Sequence, residues 1–344
     1  MTQFKNRRMD QGKAGPAVAV VILILVLALG ACWYFFINKR EQAAVVTPTS
    51  ASERVIATGY RTMTSAAFSP DGNLVAAIGN EKDIYLFDPK SGKLVQQISE
   101  ACCTADSLAF SPDGKQLALG LNDPNGAVAL VLALRDGKYQ DRIREIHLQG
   151  GRLYSVVFAG GGQQLLTEID ANAVTWDIAT GAEVRRIEGG IEGGISALSR
   201  AGDTIAYGGV NHNDVTVSDA ATSAPRQTLT GHTKGVLALA ISPDGNTTAS
   251  GSYDSTVLLW DTQTAAVKQV LQLGDLNCAY TVAFSNGGKM LATGGDAIRI
   301  WDPATGVQKQ LFNSKETSSV AFSPDDQMLA ATSANGTLTV RRLL

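Results

Sequence analysis

The residues able to do chemistry are few and scattered. The chain has three histidines, His147, His212 and His232, and four cysteines, Cys32, Cys102, Cys103 and Cys278. A metal centre needs three or four converging ligands, and no His or Cys group stands at such a spacing. No Gly-x-Ser-x-Gly elbow, His-Glu-x-x-His pair or phosphate loop occurs. Gly160-Gly161-Gly162 reads as a tight turn, because no Lys-Ser/Thr pair or helix follows it. No catalytic residue, metal ligand or cofactor is therefore assigned, and the chain is expected not to be an enzyme. Adjacent Cys102 and Cys103 leave two readings open, a strained bridge in an oxidising compartment or partly buried thiols.

With so little reactive material, the elements that position it decide the reading. One phrase recurs after residue 54: Ala67-Phe68-Ser69-Pro70-Asp71-Gly72 returns at 109–114, at 240–245 and, with Asp326 in the glycine place, at 321–326. Weaker copies follow Phe158, Leu198 and Phe284. Aligned on the apolar residue, seven anchors emerge: Phe68, Phe110, Phe158, Leu198, Ile241, Phe284 and Phe322. Their spacings are 42, 48, 40, 43, 43 and 38 residues, the length of a four-stranded blade of about 40–45 residues. Within each unit, short β-favouring runs alternate with Gly-, Pro- and Asp-rich turns, which reads as four strands. The chain ends after the third strand of unit seven, while Arg54-Val55-Ile56-Ala57-Thr58 has no unit of its own. That N-terminal strand is expected to complete the last blade.

Trp176-Asp177, Trp260-Asp261 and Trp301-Asp302 end their third strands, and Gly231-His232 precedes the fifth unit. On these residues, 54–344 resembles the WD-repeat β-propeller family. The resemblance implies an all-β fold, a seven-bladed β-propeller. It also implies that His232, Ser250 or Ser252, Asp254 and Trp260 form a buried structural network within one blade, with the three Trp-Asp pairs as further blade residues. Phe87-Asp88 and Ser218-Asp219 replace Trp-Asp elsewhere, Leu132-Ala133-Leu134 stands in the second unit and Val340-Arg341-Arg342 in the last. Blades without the histidine are expected to rely on apolar packing. Members of the family mostly bind proteins on the face built by connections between blades and the starts of first strands. Four residues before each anchor stand Thr64, Asp106, Tyr154, Gly194, Leu237, Tyr280 and Ser318. Tyr154, Leu237 and Tyr280 are expected to offer apolar or amphipathic contact, with Arg61, Asp106 and Lys234 on the rim.

Ahead of the repeats, residues 16–37 carry no charge and are long enough, at about 33 Å as a helix, to span a bilayer. A single transmembrane helix acting as a signal anchor is expected there, after a basic tail at 1–15 and before a polar linker at 38–53. Lys5, Arg7, Arg8 and Lys13 precede the span and Lys39 and Arg40 follow it, which favours a cytoplasmic N-terminus and an extracytoplasmic, periplasmic body in a bacterial cell. Leu29-Gly30-Ala31-Cys32 resembles a lipobox, so a lipoprotein bearing lipid on Cys32, or a cleaved signal, are the alternatives. The chain beyond residue 40 carries 23 basic and 31 acidic groups. It lacks the basic footprint that drives nucleic-acid affinity. The expected function is a membrane-tethered, monomeric scaffold for a protein or peptide partner. The alternative is a small-ligand sensor or enzyme working through the central channel.

Overall fold

Alternation of apolar and polar residues produces strands, and among the described residues the one helical segment is the three-residue turn Gly160–Gly162. The computed structural model describes residues 53–57, 62–79, 83–99, 103–124, 126–149, 151–170, 172–188, 195–274, 277–314 and 316–343. The expected span at 16–37, Cys32, Arg61 and Cys102 lie outside them. Among the described residues, no helix is long and apolar enough to cross a membrane.

The strands form seven four-stranded antiparallel sheets. β1 (Glu53–Ala57) stands apart in sequence. Blade 1 holds β2 (Met63–Phe68), β3 (Val75–Gly79), β4 (Ile84–Phe87) and β5 (Leu94–Ile98). Blade 2 holds β6 (Thr104–Phe110), β7 (Gln116–Asp123), β8 (Gly126–Arg135) and β9 (Lys138–Leu148). Blade 3 holds β10 (Leu153–Ala159), β11 (Gln164–Ile169), β12 (Asn172–Asp177) and β13 (Glu183–Ile187). Blade 4 holds β14 (Ile195–Leu198), β15 (Thr204–Gly208), β16 (Asp214–Asp219) and β17 (Pro225–Thr230). Blade 5 holds β18 (Val236–Ile241), β19 (Thr247–Ser252), β20 (Thr256–Asp261) and β21 (Val267–Gln272). Blade 6 holds β22 (Thr281–Phe284), β23 (Leu291–Gly294), β24 (Ala297–Trp301) and β25 (Gln308–Asn313). Blade 7 holds β26 (Thr317–Phe322), β27 (Met328–Ser333) and β28 (Thr337–Arg342), with β1 as its outer strand, antiparallel to β28. Glu53, read from sequence as linker, is the first residue of that strand.

First strands pack side by side around the centre, and β26 packs on β2, so the ring closes. Closure leaves no blade with an uncovered inner sheet face. The core lies in the seams between blades. Ile78, Leu86, Leu117, Leu119 and Leu132, all fully buried, fill the seam of blades 1 and 2.

The recurring turn explains itself chemically. Ser69 Oγ donates to Asp71 Oδ1 at 2.5 Å and accepts the Leu74 N–H at 2.9 Å. Ser111, Ser242 and Ser323 repeat this pattern. Its Ser hydrogen bond, ahead of the amide bonds, holds the Asp113, Asp244 and Asp325 carboxyls below the usual range. The turns also lock one blade to the next. A Cβ on Gly114, whose φ is +70°, would lie 3.4 Å from Pro70 Cδ, and one on Gly72 would lie 3.5 Å from Pro324 Cδ. The proline of one turn thus seats on the glycine of the following blade. Blade 6 has Asn286 in the proline place and blade 7 has Asp326 in the glycine place. There the Asn286 and Gly287 amides donate to the Asp326 carboxylate at 2.6 and 2.7 Å.

Candidate binding face built from strand bulges

The first strands all start at one end of the ring, here called the upper face, with the Ser-Pro-Asp-Gly turns at the other. Ladder register slips by one residue between Met63 and Ser65, Ala105 and Ser107, Leu153 and Ser155, Val236 and Ala238, and Thr317 and Ser319. Thr64, Asp106, Tyr154, Leu237 and Ser318 are therefore the extra residues of five β-bulges. A bulge leaves its residue unpaired and re-aims the side chain. The position four residues before the anchor is a structural position, repeated around the upper face.

Its occupants divide by role. Ser318 Oγ donates to Met63 O at 2.6 Å, and Thr64 Oγ1 to Ala105 O at 3.0 Å, each reaching the next blade. Asp106 does the same as an acceptor: Arg152 of blade 3 donates to its Oδ2 from Nε and Nη2, at 3.2 and 2.7 Å. Asn122 Nδ2 donates to that oxygen at 2.9 Å and to Leu153 O at 2.8 Å, and its Oδ1 accepts the Leu153 N–H at 2.8 Å. Asp106 is thus occupied in joining blades 2 and 3. Tyr154 is 36% exposed, with the Arg152 guanidinium 5.7 Å from its ring centroid, a cation–π distance. Leu237 is half-buried and Lys234 is exposed. Tyr280 is half-buried just before β22, where its N–H donates to Gly294 O. The expected contact residues that the structure describes, all but Arg61, share one face, with Tyr154 the most exposed of the apolar three.

The blade 5 network is buried and internally satisfied. His232 Nδ1 lies 2.8 Å from Asp254 Oδ2 and Nε2 lies 2.7 Å from Ser250 Oγ. Trp260 Nε1 donates to Ser250 Oγ at 2.7 Å. One assignment satisfies every atom: Nδ1–H donates to the carboxylate, and Nε2 accepts the serine proton while that oxygen accepts the indole N–H. Burial opposes ionisation of Asp254, but bonds from Thr256, Thr233 and His232 hold its carboxyl below the usual value. Ser252 works separately, donating to Gly235 O at 2.9 Å.

Two features of the sequence reading need correction. Blades lacking the histidine are not held by apolar packing alone. Trp176 Nε1 donates to Thr167 Oγ1 at 2.9 Å and Trp301 Nε1 to Thr293 Oγ1 at 3.0 Å. In blade 4, the Tyr207 hydroxyl lies 3.2 Å from Ser218 Oγ. Secondly, Asp177, Asp261 and Asp302 lie outside the buried network. Each carboxylate accepts amides of the turn after its strand, such as Thr180 N at 2.8 Å and Thr264 N at 2.9 Å. Those amide bonds, with the Thr264 hydroxyl and Lys268, lower the Asp261 carboxyl to about 2. Asp88 and Asp219 make the same bonds without a tryptophan before them. The aspartate is thus the turn residue, and the tryptophan the core residue.

Further ties escaped sequence reasoning. On the outer strands, the Tyr139 N–H donates to Gln96 Oε1 at 2.9 Å and Arg144 Nε to Ile178 O at 2.9 Å. Gln227 and Gln269 each donate to a carbonyl of the following blade, at 2.6 and 3.0 Å. Register-equivalent Gln and Arg in outer strands was the available signal. Among the described residues, no group of three His, Cys, Asp or Glu side chains converges on a metal position. Cys103 is buried and Cys278 half-buried.

A ring of seven four-stranded sheets with indole–hydroxyl bonds and aspartate-held turns defines a seven-bladed β-propeller. Residues 223–261 and 308–340 match the family described as WD domain, G-beta repeat. The chain is 28% identical over 253 residues to Cell division cycle 20.4, cofactor of APC complex, of Arabidopsis thaliana, covering 67% of this chain and 54% of that one. It is 24% identical over 288 residues to the Guanine nucleotide-binding protein subunit beta of Solanum tuberosum, covering 79% of this chain and 66% of the relative. The chain spans between about half and two-thirds of the length of these two relatives.

Proposed function

We propose that this protein is a membrane-tethered scaffold whose propeller holds a protein or peptide partner on its upper face. The observation that carries the reading is the set of bulges. Five first strands each carry one extra residue at the same end, three of them tying neighbouring blades together, and an exposed aromatic, Tyr154, stands among them beside Arg152. Rigid elements presenting an aromatic anchor within a polar rim suit protein recognition. The relatives support it, since their names describe a cofactor of one complex and a subunit of another. The scaffold acts by display and localisation, and no bond changes. The uncharged stretch at 16–37 supports tethering, and its flanking charges support a bacterial inner-membrane protein with the propeller outside. Attachment through lipid on Cys32 is the second form of tether.

The test is photo-cross-linking in intact cells, with a benzophenone amino acid at residue 154 or, as control, at residue 263 on a lower turn. A discrete adduct from 154 and none from 263 is expected, and protease added to sealed spheroplasts should release the propeller with the adduct attached. Adducts from 263 alone would overturn the docking face. Protection of the propeller until lysis would reverse the orientation. A small molecule that raises the melting temperature, with no adduct from either position, would favour the channel sensor or enzyme instead.

A further inference from the structure

The seam between blades 3 and 4 holds a group that no structural role described above uses. Glu168, on β11, is 1% exposed, and neither carboxylate oxygen has a hydrogen-bond partner of good geometry among the described residues. Its place in the ladder is opposite Ser155. The same register holds Gly120, Gly208, Gly251 and Gly294 in blades 2, 4, 5 and 6. At three of those glycines an added Cβ would strike the next blade, 2.7 Å from Leu153 at Gly120, 2.6 Å from Ala279 at Gly251 and 2.7 Å from Thr317 at Gly294. Side chains at this register therefore point across the seam. Where the next blade elsewhere presents Val156 or Val282, blade 4 presents Ser196. A carboxyl thus occupies a seam whose facing residue is small and polar.

Burying a carboxylate without a counter-charge is costly. Burial pushes the Glu168 carboxyl up to about 7, against the opposing influence of the Ser196 hydroxyl and amide. Around the seam, the upper connections are acidic. Asp170, Glu188 and Asp214 are exposed there, against Arg152 and, one connection further on, Lys234, and Arg152 is already paired with Asp106. Such a field attracts a cationic partner and repels an acidic one.

We propose that the blade 3–4 seam receives a lysine or arginine side chain from a basic segment of the docked partner, paired with the Glu168 carboxylate. This rests on the upper-face reading. The cation supplies a charge that the described residues of the seam do not. Only ionised Glu168 pairs, so binding releases a proton and tightens as pH rises through neutrality. The elements packed around Glu168 offer Ser155, Ala173 and Ser196, none of them titratable, and Tyr207 of the same seam, a titratable phenol whose hydroxyl lies 3.2 Å from Ser218 Oγ. The nearest charged groups on its own connection are Asp170, whose carboxylate accepts the Gly151 and Arg152 amides, and Arg152.

The test titrates the full chain in detergent with two twelve-residue peptides, one alternating Lys and Ser, the other Glu and Ser. Amide exchange maps the contact. The basic peptide should bind, tighten several-fold from pH 6 to pH 8, and slow exchange in β14 and at the start of β10. Glu168→Gln should weaken it about tenfold and abolish the pH dependence while melting no lower than wild type. Equal affinity for Glu168→Gln, a pH-independent affinity, preference for the acidic peptide or no binding would each overturn the inference. If protection still maps to the upper face in such a case, the docking reading stands without it. Protection confined to the lower turns would remove both.

Discussion

The seam of blades 1 and 2 and the seam of blades 3 and 4 occupy equivalent places in the ring but are built from different materials. The first gathers fifteen buried apolar side chains, Leu119 and Leu132 among them. The second gathers five, Leu166, Ala173, Ile187, Ile205 and Tyr207, among the described residues. The first has the Pro70–Gly114 seat below and the Thr64 hydrogen bond above. In the second, blade 3 has no proline in its turn, and an added Cβ on Gly202 of blade 4 would meet nothing within 4 Å. The same holds for Gly245 at the next seam, beside a pocket of about 290 Å³ lined by Ala201, Arg226 and Pro243. A closed ring distributes stability, so one seam can carry a polar group while the others hold the fold. Local stability in proteins is uneven in this manner, and binding elements draw on its lower end.

The largest expected effect separates the seams directly. Leu119→Ala removes a fully buried side chain from the dense seam and should lower stability by about 3–5 kcal/mol. Leu166→Ala, in the sparse seam, should cost about 2 kcal/mol, the low end for such truncations, because fewer apolar neighbours lose contact. Urea melts of the two variants make the comparison. Equal losses would break the contrast.

Protonation gives the next effect and a sign. Unfolded, Glu168 carries the ordinary glutamate value of 4.5, whereas burial in the folded seam pushes it up to about 7. Between those values the folded chain keeps a proton that the unfolded chain has released. Stability therefore falls as pH rises through that window, and the contribution is gone above the folded value. Glu168→Gln keeps the shape and removes the charge. It should match wild type near pH 4.5 and exceed it by about 2–3 kcal/mol at pH 8. Parallel thermal melts at the two pH values would show this as a crossing from equality to divergence. A constant offset at both would mean that Glu168 is neutral, or ionised, throughout.

Much of this contrast was legible in the residues, but unevenly. The seven anchors and their turns mark the blades because each turn needs a serine, an aspartate and a left-handed residue at fixed offsets. Counting back four residues from an anchor reached the bulge residues because a bulge is a fixed insertion in a repeated strand. The fate of each was not legible: Asp106 looked like a rim charge, yet Arg152 and Asn122 claim it. Glu168 carried no signal, because its meaning lies in register against four glycines and in facing Ser196 across a seam. Trp-Asp was read as one unit, whereas packing separates it into a core residue and a turn residue. Departures from the repeat were visible singly. That two of them face each other follows only from the ring.

Asn286 and Asp326 are that pair, and they offer the smallest effect and the sharpest test of how seams are matched. A proline at 286 would lack the N–H that donates to Asp326 at 2.6 Å, and a glycine at 326 would lack the acceptor. Asp326 has a φ of +59°, a conformation that aspartate tolerates but glycine adopts without strain. Asn286→Pro should therefore strand the carboxylate, and Asp326→Gly should lose two amide bonds while relieving the backbone. Together they recreate the proline-on-glycine seat found at Pro70–Gly114 and at Pro324–Gly72. Each single change should cost about 1 kcal/mol, and the double variant should recover about 1 kcal/mol of their sum, as expected for residues in direct contact. A double-mutant cycle by urea denaturation reads the coupling. Strict additivity would mean that the seats are incidental contacts and that the seams are set by their apolar cores alone. Positive coupling would mean that each seam is matched as a pair, which is the condition under which blade 3 can hold a carboxyl where its neighbours hold glycine.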